Sequence, residues 1–207
     1  MVRKTKEEAA ETRHQIIAAA RRVFHECGVG RSTLEKIAAA AGVTRGAIYW
    51  HFQDKAELFA AMREDVFAPM IERTDSLLFS PAYADPLDAI EASLIEFFRV
   101  LEDCPVLRQV FEIMILRCEY VADFARVQEE VSRPALAFLQ KIITRYRDAA
   151  ARGTLRENLA PDAAAEDTWA FTSGLLHLLL GGQLAGAAAE RIPSMIRAHM
   201  ALRRQGA

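Results

Sequence analysis

Between Thr33 and Phe52 the apolar residues fall at spacings of three and four in two short runs, interrupted at Gly42-Val43-Thr44. No other stretch restricts the fold as tightly. Leu34, Ile37, Ala38 and Ala41 share one face of a short helix. Gly42 ends it, because left-handed backbone costs Gly little. Ser32, with Glu35 three residues on, has the capping-box spacing at its start. Thr44 is placed to cap a following helix, in which Ile48 and Phe52 turn inward at i and i+4. Two short helices joined by such a turn make a helix-turn-helix corner.

The flanking sequence extends the helical pattern. Ile16, Ile17, Ala20, Val23, Phe24 and Cys27 predict a first helix over 8–27, closed by Gly28. Asp54 caps a fourth helix from Lys55, whose stripe continues through Phe59, Met62, Val66 and Met70, with a kink or an early end expected at Pro69. Further helices are predicted over 87–103, 106–118 and 123–152, the last kinked at Pro134. Two more follow, from Pro161 or Asp162 to Gly182 and from Pro193 to Arg204. Composition agrees: 37 Ala favour helix, while Gly and Pro together number only 17 of 207. No strand-like alternation and no internal repeat appears. The expectation is an all-α chain of about nine helices.

With Ile48 and Phe52 inward, the second motif helix presents Arg45, Gly46, Tyr49, Trp50 and His51. Arg grips guanine edges or phosphate, and Tyr and His donate to phosphate oxygens. Gly46 removes a side chain where a helix must come close to a duplex. Lys55 stands at the next helix amino terminus, where anions are stabilised. Upstream, Arg3, Lys4 and Lys6 suit a phosphate backbone or a minor groove. Charge is asymmetric in the same sense: residues 1–55 carry ten Lys/Arg against six Asp/Glu, the remainder sixteen against twenty-two. Solvated charges on a corner of any helical protein would look similar, and these residues alone leave DNA binding and a plain corner both open.

The residues from Ile16 to Gly28, through Thr33 to Phe52, to Asp54-Lys55-Ala56-Glu57-Leu58 resemble the amino-terminal domain of TetR-family transcriptional regulators. Phe24, Gly28, Thr33, Ile37, Ala38, Gly42, Val43, Gly46, Tyr49, His51, Phe52 and Lys55 all fit that pattern. The resemblance implies DNA contacts at Thr33, Thr44, Arg45, Gly46, Tyr49, His51 and Lys55. It implies a DNA-binding domain over 1–55 and a ligand-binding and dimerisation domain over 56–207. Residues 112–120 and the opening Arg3 to Ala9 are similar to multidrug-efflux repressors of the AcrR/TtgR type, released from DNA by hydrophobic compounds. Pro69 and His177 depart from that subgroup. The implied function is a homodimeric, ligand-responsive repressor of an efflux operon, acting on a palindromic operator in double-stranded DNA. The alternatives are a helical adaptor that no longer reads DNA and a regulator sensing an acyl chain or other metabolite.

The acidic body carries aromatic and Met residues but no catalytic set. An apolar effector pocket is expected at Phe67, Phe97, Phe111, Met114 and Phe138, with His177 orienting a polar group on the ligand. Taken singly, these residues also read as ordinary core, and His177 as a satisfied core or interface histidine. Toward the carboxyl end, Gly174, Leu178, Gly181, Ile192, Ile196 and Met200 form a small and apolar stripe that needs a partner. Packing within the chain satisfies it as well as a second copy does. The resemblance implies a four-helix dimer interface over 161–204.

Enzymatic readings find no support. Gly28-Val29-Gly30 follows a helix rather than a strand and lacks a dinucleotide fingerprint, so no cofactor is expected. The five His show no metal-ligand spacing and no GxSxG occurs. Three Cys without CxxC spacing favour a reducing cytosol over a disulfide framework. The polar amino terminus is no signal peptide, and the apolar run near 168–189 is too Gly-rich and polar for a membrane span.

Overall fold

A computed structural model describes residues 6–121, 124–184 and 188–206, so Arg3 and Lys4 lie outside the described residues. Among the described residues the chain forms nine helices: α1 (Lys6–Cys27), α2 (Leu34–Ala41), α3 (Arg45–His51), α4 (Lys55–Leu78), α5 (Pro86–Asp103), α6 (Pro105–Leu116), α7 (Ala125–Ala151), α8 (Pro161–Leu180) and α9 (Ala188–Ala201). The all-α expectation is borne out. They gather into two compact units, one of residues 1–67 with 106–128 and the other of residues 68–105 with 129–207. The expected boundary at Lys55 differs from this division. The first unit keeps the beginning of α4, and α6 returns to it from the middle of the chain.

The first unit is built on the apolar face of α1. Ile16, Ile17, Ala20 and Phe24 are buried with Ile37 of α2, Ile48 of α3, Phe52, and Leu58, Phe59 and Met62 of α4. Each of these Ile, Leu, Phe and Met side chains contributes roughly 1.5–3 kcal/mol on leaving water. The Phe24 and Phe59 rings lie 6.0 Å apart, and Phe59 meets Phe124 edge-on at 5.6 Å. Polar contacts fasten α6 to α1. Arg21 Nε donates to Gln109 Oε1 at 2.9 Å, and His25 Nε2 lies 2.8 Å from Glu112 Oε2, which also receives Arg108 through its other oxygen. After α1, Val29 N donates to the Arg117 carbonyl at 2.9 Å. A Cβ on Gly28 (φ +78°) would stand 3.4 Å from that same oxygen.

The second unit packs α5 against α9. Leu87, Ile90, Leu94, Phe98 and Leu101 are buried with Ile192, Ile196 and Met200, and with Ile142, Tyr146 and Ala149 of α7. Ile196 and Met200 are fully buried within one chain, so this part of the stripe is protomer core and not a free interface. Leu178 remains 40% exposed. A sealed polar chain crosses the unit: Tyr146 Oη meets Thr168 Oγ1 at 2.7 Å, and Thr168 Oγ1 meets His199 Nε2 at 3.1 Å. The His199 ring stacks on Phe171 at 4.0 Å, and Arg203 bonds both His199 and Asp167. Arg204 clasps Asp85, Asp88 and Glu91 around the amino terminus of α5.

α4 does not end early at Pro69 but runs to Leu78, while α7 passes through Pro134 as its apolar pattern predicts. α9 begins at Ala188, so Pro193 lies inside it instead of opening it. One missing N–H costs a helix about 3 kcal/mol, and burial elsewhere on these helices offsets it. The α2 cap is Thr33, whose Oγ1 accepts from Lys36 N at 3.2 Å. Ser32 instead turns its buried hydroxyl to the Val29 carbonyl at 2.7 Å. No helix of the described residues is long and apolar enough to cross a membrane.

Candidate nucleic-acid interface

The turn between α2 and α3 is fixed by backbone before any side chain reaches solvent. Gly42 adopts φ +69°, and Val43 N donates back to Ala38 O at 3.0 Å. This closes α2 in a Schellman-type turn. Thr44 then caps α3, its Oγ1 accepting from Ala47 N at 3.2 Å. Both cap hydroxyls, on Thr33 and Thr44, accept in these bonds, and Thr44 keeps its own O–H as a donor. Asp54 caps α4 through Glu57 N at 2.8 Å, while Glu57 reaches back to Gln53 N at 2.7 Å.

Ile48 and Phe52, almost entirely buried, hold α3 to the unit. At about 100° per residue, Gly46 and Trp50 stand opposite Ile48. Trp50 is 73% exposed, the most exposed large apolar side chain among the described residues, and Tyr49 is 44% exposed. The Trp50 and His51 rings meet edge-on at 4.5 Å. A Cβ on Gly46 would find only Thr44 Oγ1 within 4 Å, at 3.9 Å, so the protein itself does not require glycine there.

Arg45 and Tyr49 are joined to α2. Glu35 Oε1 lies 3.4 Å from Arg45 Nη2 and 3.4 Å from the Tyr49 hydroxyl, and the guanidinium sits 5.6 Å from the Tyr49 ring centroid. The backbone N–H of Glu35, the Thr33 hydroxyl, Arg45 and Tyr49 hold its carboxyl below the usual carboxylate range. Lys55 is turned inward. Its ammonium donates to Val29 O at 2.7 Å and to Ser32 O at 3.1 Å, and lies 5.4 Å from the Phe124 ring. The lysine thus fastens the 29–32 turn to the start of α4.

Thr33, Thr44, Arg45, Gly46 and Tyr49 are therefore exposed on the motif, with His51 half-buried at its edge and Lys55 half-buried under the turn. Sequence reasoning assigned Glu35 to a cap and overlooked its meeting with Arg45 and Tyr49. The available signal was a carboxylate in the first turn of one motif helix and a cation in the first turn of the next.

The residues expected to bind an effector divide between the units. Phe67 and Phe111 stack at 5.0 Å in the first unit, where Met114 is also buried. The buried Arg63 lies over Phe67 at 5.6 Å, a cation beside the aromatic pair that sequence reasoning did not single out. In the second unit Phe97 meets Phe98 edge-on at 5.1 Å, and Phe138 is half-buried. His177 is exposed, its Nδ1 2.8 Å from the Ser173 carbonyl of its own helix. None of these residues lines the cleft of about 410 Å³ in the first unit, which is bounded by Val29, Asp54, Lys55, Glu119, Phe124 and Arg126 among others. No grouping of three or more His, Cys, Asp or Glu suited to a metal occurs among the described residues.

Comparison with known proteins matches this geometry to a family. Residues 16–62 match the model described as bacterial regulatory proteins, tetR family. The HTH-type transcriptional regulator TtgR of Pseudomonas putida is 38% identical over 182 residues, covering 85% of this chain and 83% of TtgR. Native NalD, the secondary repressor of the MexAB-OprM multidrug efflux pump in Pseudomonas aeruginosa, superposes with a TM-score of 0.79 at 30% identity, covering 92% of this chain and 97% of NalD. A SmeT–triclosan complex superposes with a TM-score of 0.76 at 32% identity, covering 95% of this chain and 93% of SmeT. SmeT is the repressor of the Stenotrophomonas maltophilia multidrug efflux pump SmeDEF.

Proposed function

The chain belongs to the TetR family of bacterial regulatory proteins, and from that premise we propose that it represses a multidrug-efflux operon and leaves its operator when a hydrophobic effector binds. Family membership makes it a DNA-binding regulator and not an enzyme. The observation that carries the reading is the outward face of α3, where Arg45, Gly46, Tyr49 and Trp50 stand exposed on a seven-residue helix anchored by Ile48 and Phe52. Thr33, Thr44, Arg45, Gly46, Tyr49 and His51 form the DNA-contacting set, with Lys55 holding the adjoining turn. So short a helix reaches few base pairs. Two copies related by a two-fold axis repeat the reading, which implies a homodimer and a palindromic site.

Efflux control is supported by the likeness to NalD and SmeT along nearly the whole chain. A hydrophobic effector is supported by the SmeT–triclosan complex and by the Phe67–Phe111 stack with Met114. Phe97, Phe138 and His177 form a second group for substitution. Release requires the effector to prefer the DNA-free form, and a tenfold loss of DNA affinity corresponds to about 1.4 kcal/mol of coupling. The test is fluorescence anisotropy of the full chain on the DNA upstream of its own coding sequence, with and without triclosan and other hydrophobic aromatic compounds. Salt-sensitive binding that the compounds weaken is expected. Compounds that bind by calorimetry yet leave the DNA affinity unchanged would remove the coupling.

A further inference from the structure

The exposed face of the motif contains one carboxylate whose place in the first turn of α2 suits the helix amino terminus but does not account for its partners on the next helix. Glu35 is half exposed, with 49% of its side chain in water, and Arg45 is 72% exposed. Ion pairs this open contribute little to folding. A fixed negative charge on a surface that meets phosphates is also repulsive. Yet Glu35 Oε1 receives both the Arg45 guanidinium and the Tyr49 hydroxyl, each at 3.4 Å, from the next helix. We propose that Glu35 is a specificity-determining positioning residue, holding Arg45 and Tyr49 in place and releasing them only to a duplex whose base edges replace it.

The inference rests on the DNA-binding reading above and follows from an exchange of partners. On an arbitrary duplex Arg45 trades one carboxylate for one phosphate, and Glu35 is left charged beside the phosphate backbone. Tyr49 must also withdraw its single hydroxyl proton from Glu35, because a phosphate oxygen only accepts. At a matched site Arg45 gains a bidentate contact with guanine O6 and N7, two hydrogen bonds in place of one long pairing. Glu35 thus opposes both encounters, and the matched site alone supplies the compensation. In the free protein its own N–H, the Thr33 hydroxyl, Arg45 and Tyr49 hold the carboxyl below the usual carboxylate range.

The test uses the full chain, a duplex enriched by the wild type from a random pool, and a scrambled duplex of the same length and composition. Anisotropy is followed over a salt series. Glu35→Gln is expected to tighten binding to the scrambled duplex about two- to fivefold and to steepen its salt dependence by ~1. Affinity for the enriched duplex should change less, so the ratio between the two falls. Glu35→Asp, which keeps the charge, should keep the wild-type salt slope, and both variants should unfold cooperatively within a few degrees of the wild type, the small loss in Glu35→Gln being that of a charge at the α2 amino terminus. Equal tightening on both duplexes would overturn the proposal, leaving only a general charge effect. A loss confined to the enriched duplex would overturn it too, because Glu35 would then be reading a base itself. Failure of the DNA-binding reading is distinct: the wild type would then enrich no duplex and show no salt-dependent binding.

Discussion

The outward face of α3 and the α7–α8–α9 network of the second unit handle polar side chains in opposite ways. On α3, Arg45 and Tyr49 stand in water, tied by long contacts to Glu35 and to each other, and the exposed Trp50 meets the His51 ring. In the second unit, Tyr146, Thr168 and His199 find their partners inside the chain. The contrast teaches where function is kept. A polar group completed by its own chain stabilises a shape, whereas one left loosely paired awaits a partner from outside. Substitutions in the network should therefore move stability and leave intrinsic recognition alone, and those on α3 should do the reverse.

The largest expected effect breaks the sealed side. Ile196→Asp places an unpaired charge in the buried α5–α9 core and should cost about 3–5 kcal/mol. Thermal unfolding would show a destabilised or unfolded chain, where an interface residue would give a folded monomer in sedimentation. Arg45→Ala comes next. It should weaken binding to an enriched duplex by about 1–3 kcal/mol if Arg45 reads a base, with the melting temperature unchanged. Anisotropy beside a thermal melt checks both halves of that statement.

Gly46→Ala sharpens the comparison, because its two readouts should move in opposite directions. The free protein has room for the methyl group. Alanine should therefore stabilise α3 by about 0.5–1 kcal/mol through its helix propensity. DNA affinity should fall, because the methyl enlarges the helix where it approaches the duplex. A melt and an anisotropy titration that both improve would show that no close approach occurs at Gly46.

The smallest effect concerns pH. Burial lowers the pKa of His199 below the ordinary histidine value. Arg203 faces it at 3.1 Å, Asp167 at 3.9 Å, and Thr168 and Phe171 close the other sides, with Tyr146 behind Thr168. Because the folded chain binds this proton less readily than the unfolded chain, the contribution is complete above the unfolded pKa of about 6.5. It is lost as pH falls from there toward the folded value. Melting temperature should drop between pH 7 and 5, and His199→Gln should flatten part of that drop. An unchanged profile in the variant would assign the drop to other groups.

What could be read from the sequence was what short-range chemistry determines. Gly42, Thr44 and Asp54 each act within four residues, and all three take the roles their spacing implied. Ser32 has the capping-box spacing, yet its hydroxyl turns to the Val29 carbonyl and the neighbouring Thr33 caps α2 instead. Pro69 and Pro193 mislead because their local cost says nothing of the burial that carries each helix past them. Glu35 and Lys55 were harder still. Their partners lie 10 and 14, and 26 and 23, residues away, and no periodicity connects them.

The return of α6 to the first unit bears on how such proteins can be recombined. A hybrid regulator joined at Lys55 would carry α1 away from the residues that fasten it, leaving Arg21 without Gln109 and His25 without Glu112. It would also separate the Val29 amide from the Arg117 carbonyl. The transplantable part is two segments, 1–67 and 106–128, inherited together. Domain shuffling that respects only one crossover point would produce a graft with a poorly seated α1, and a functional hybrid would need both.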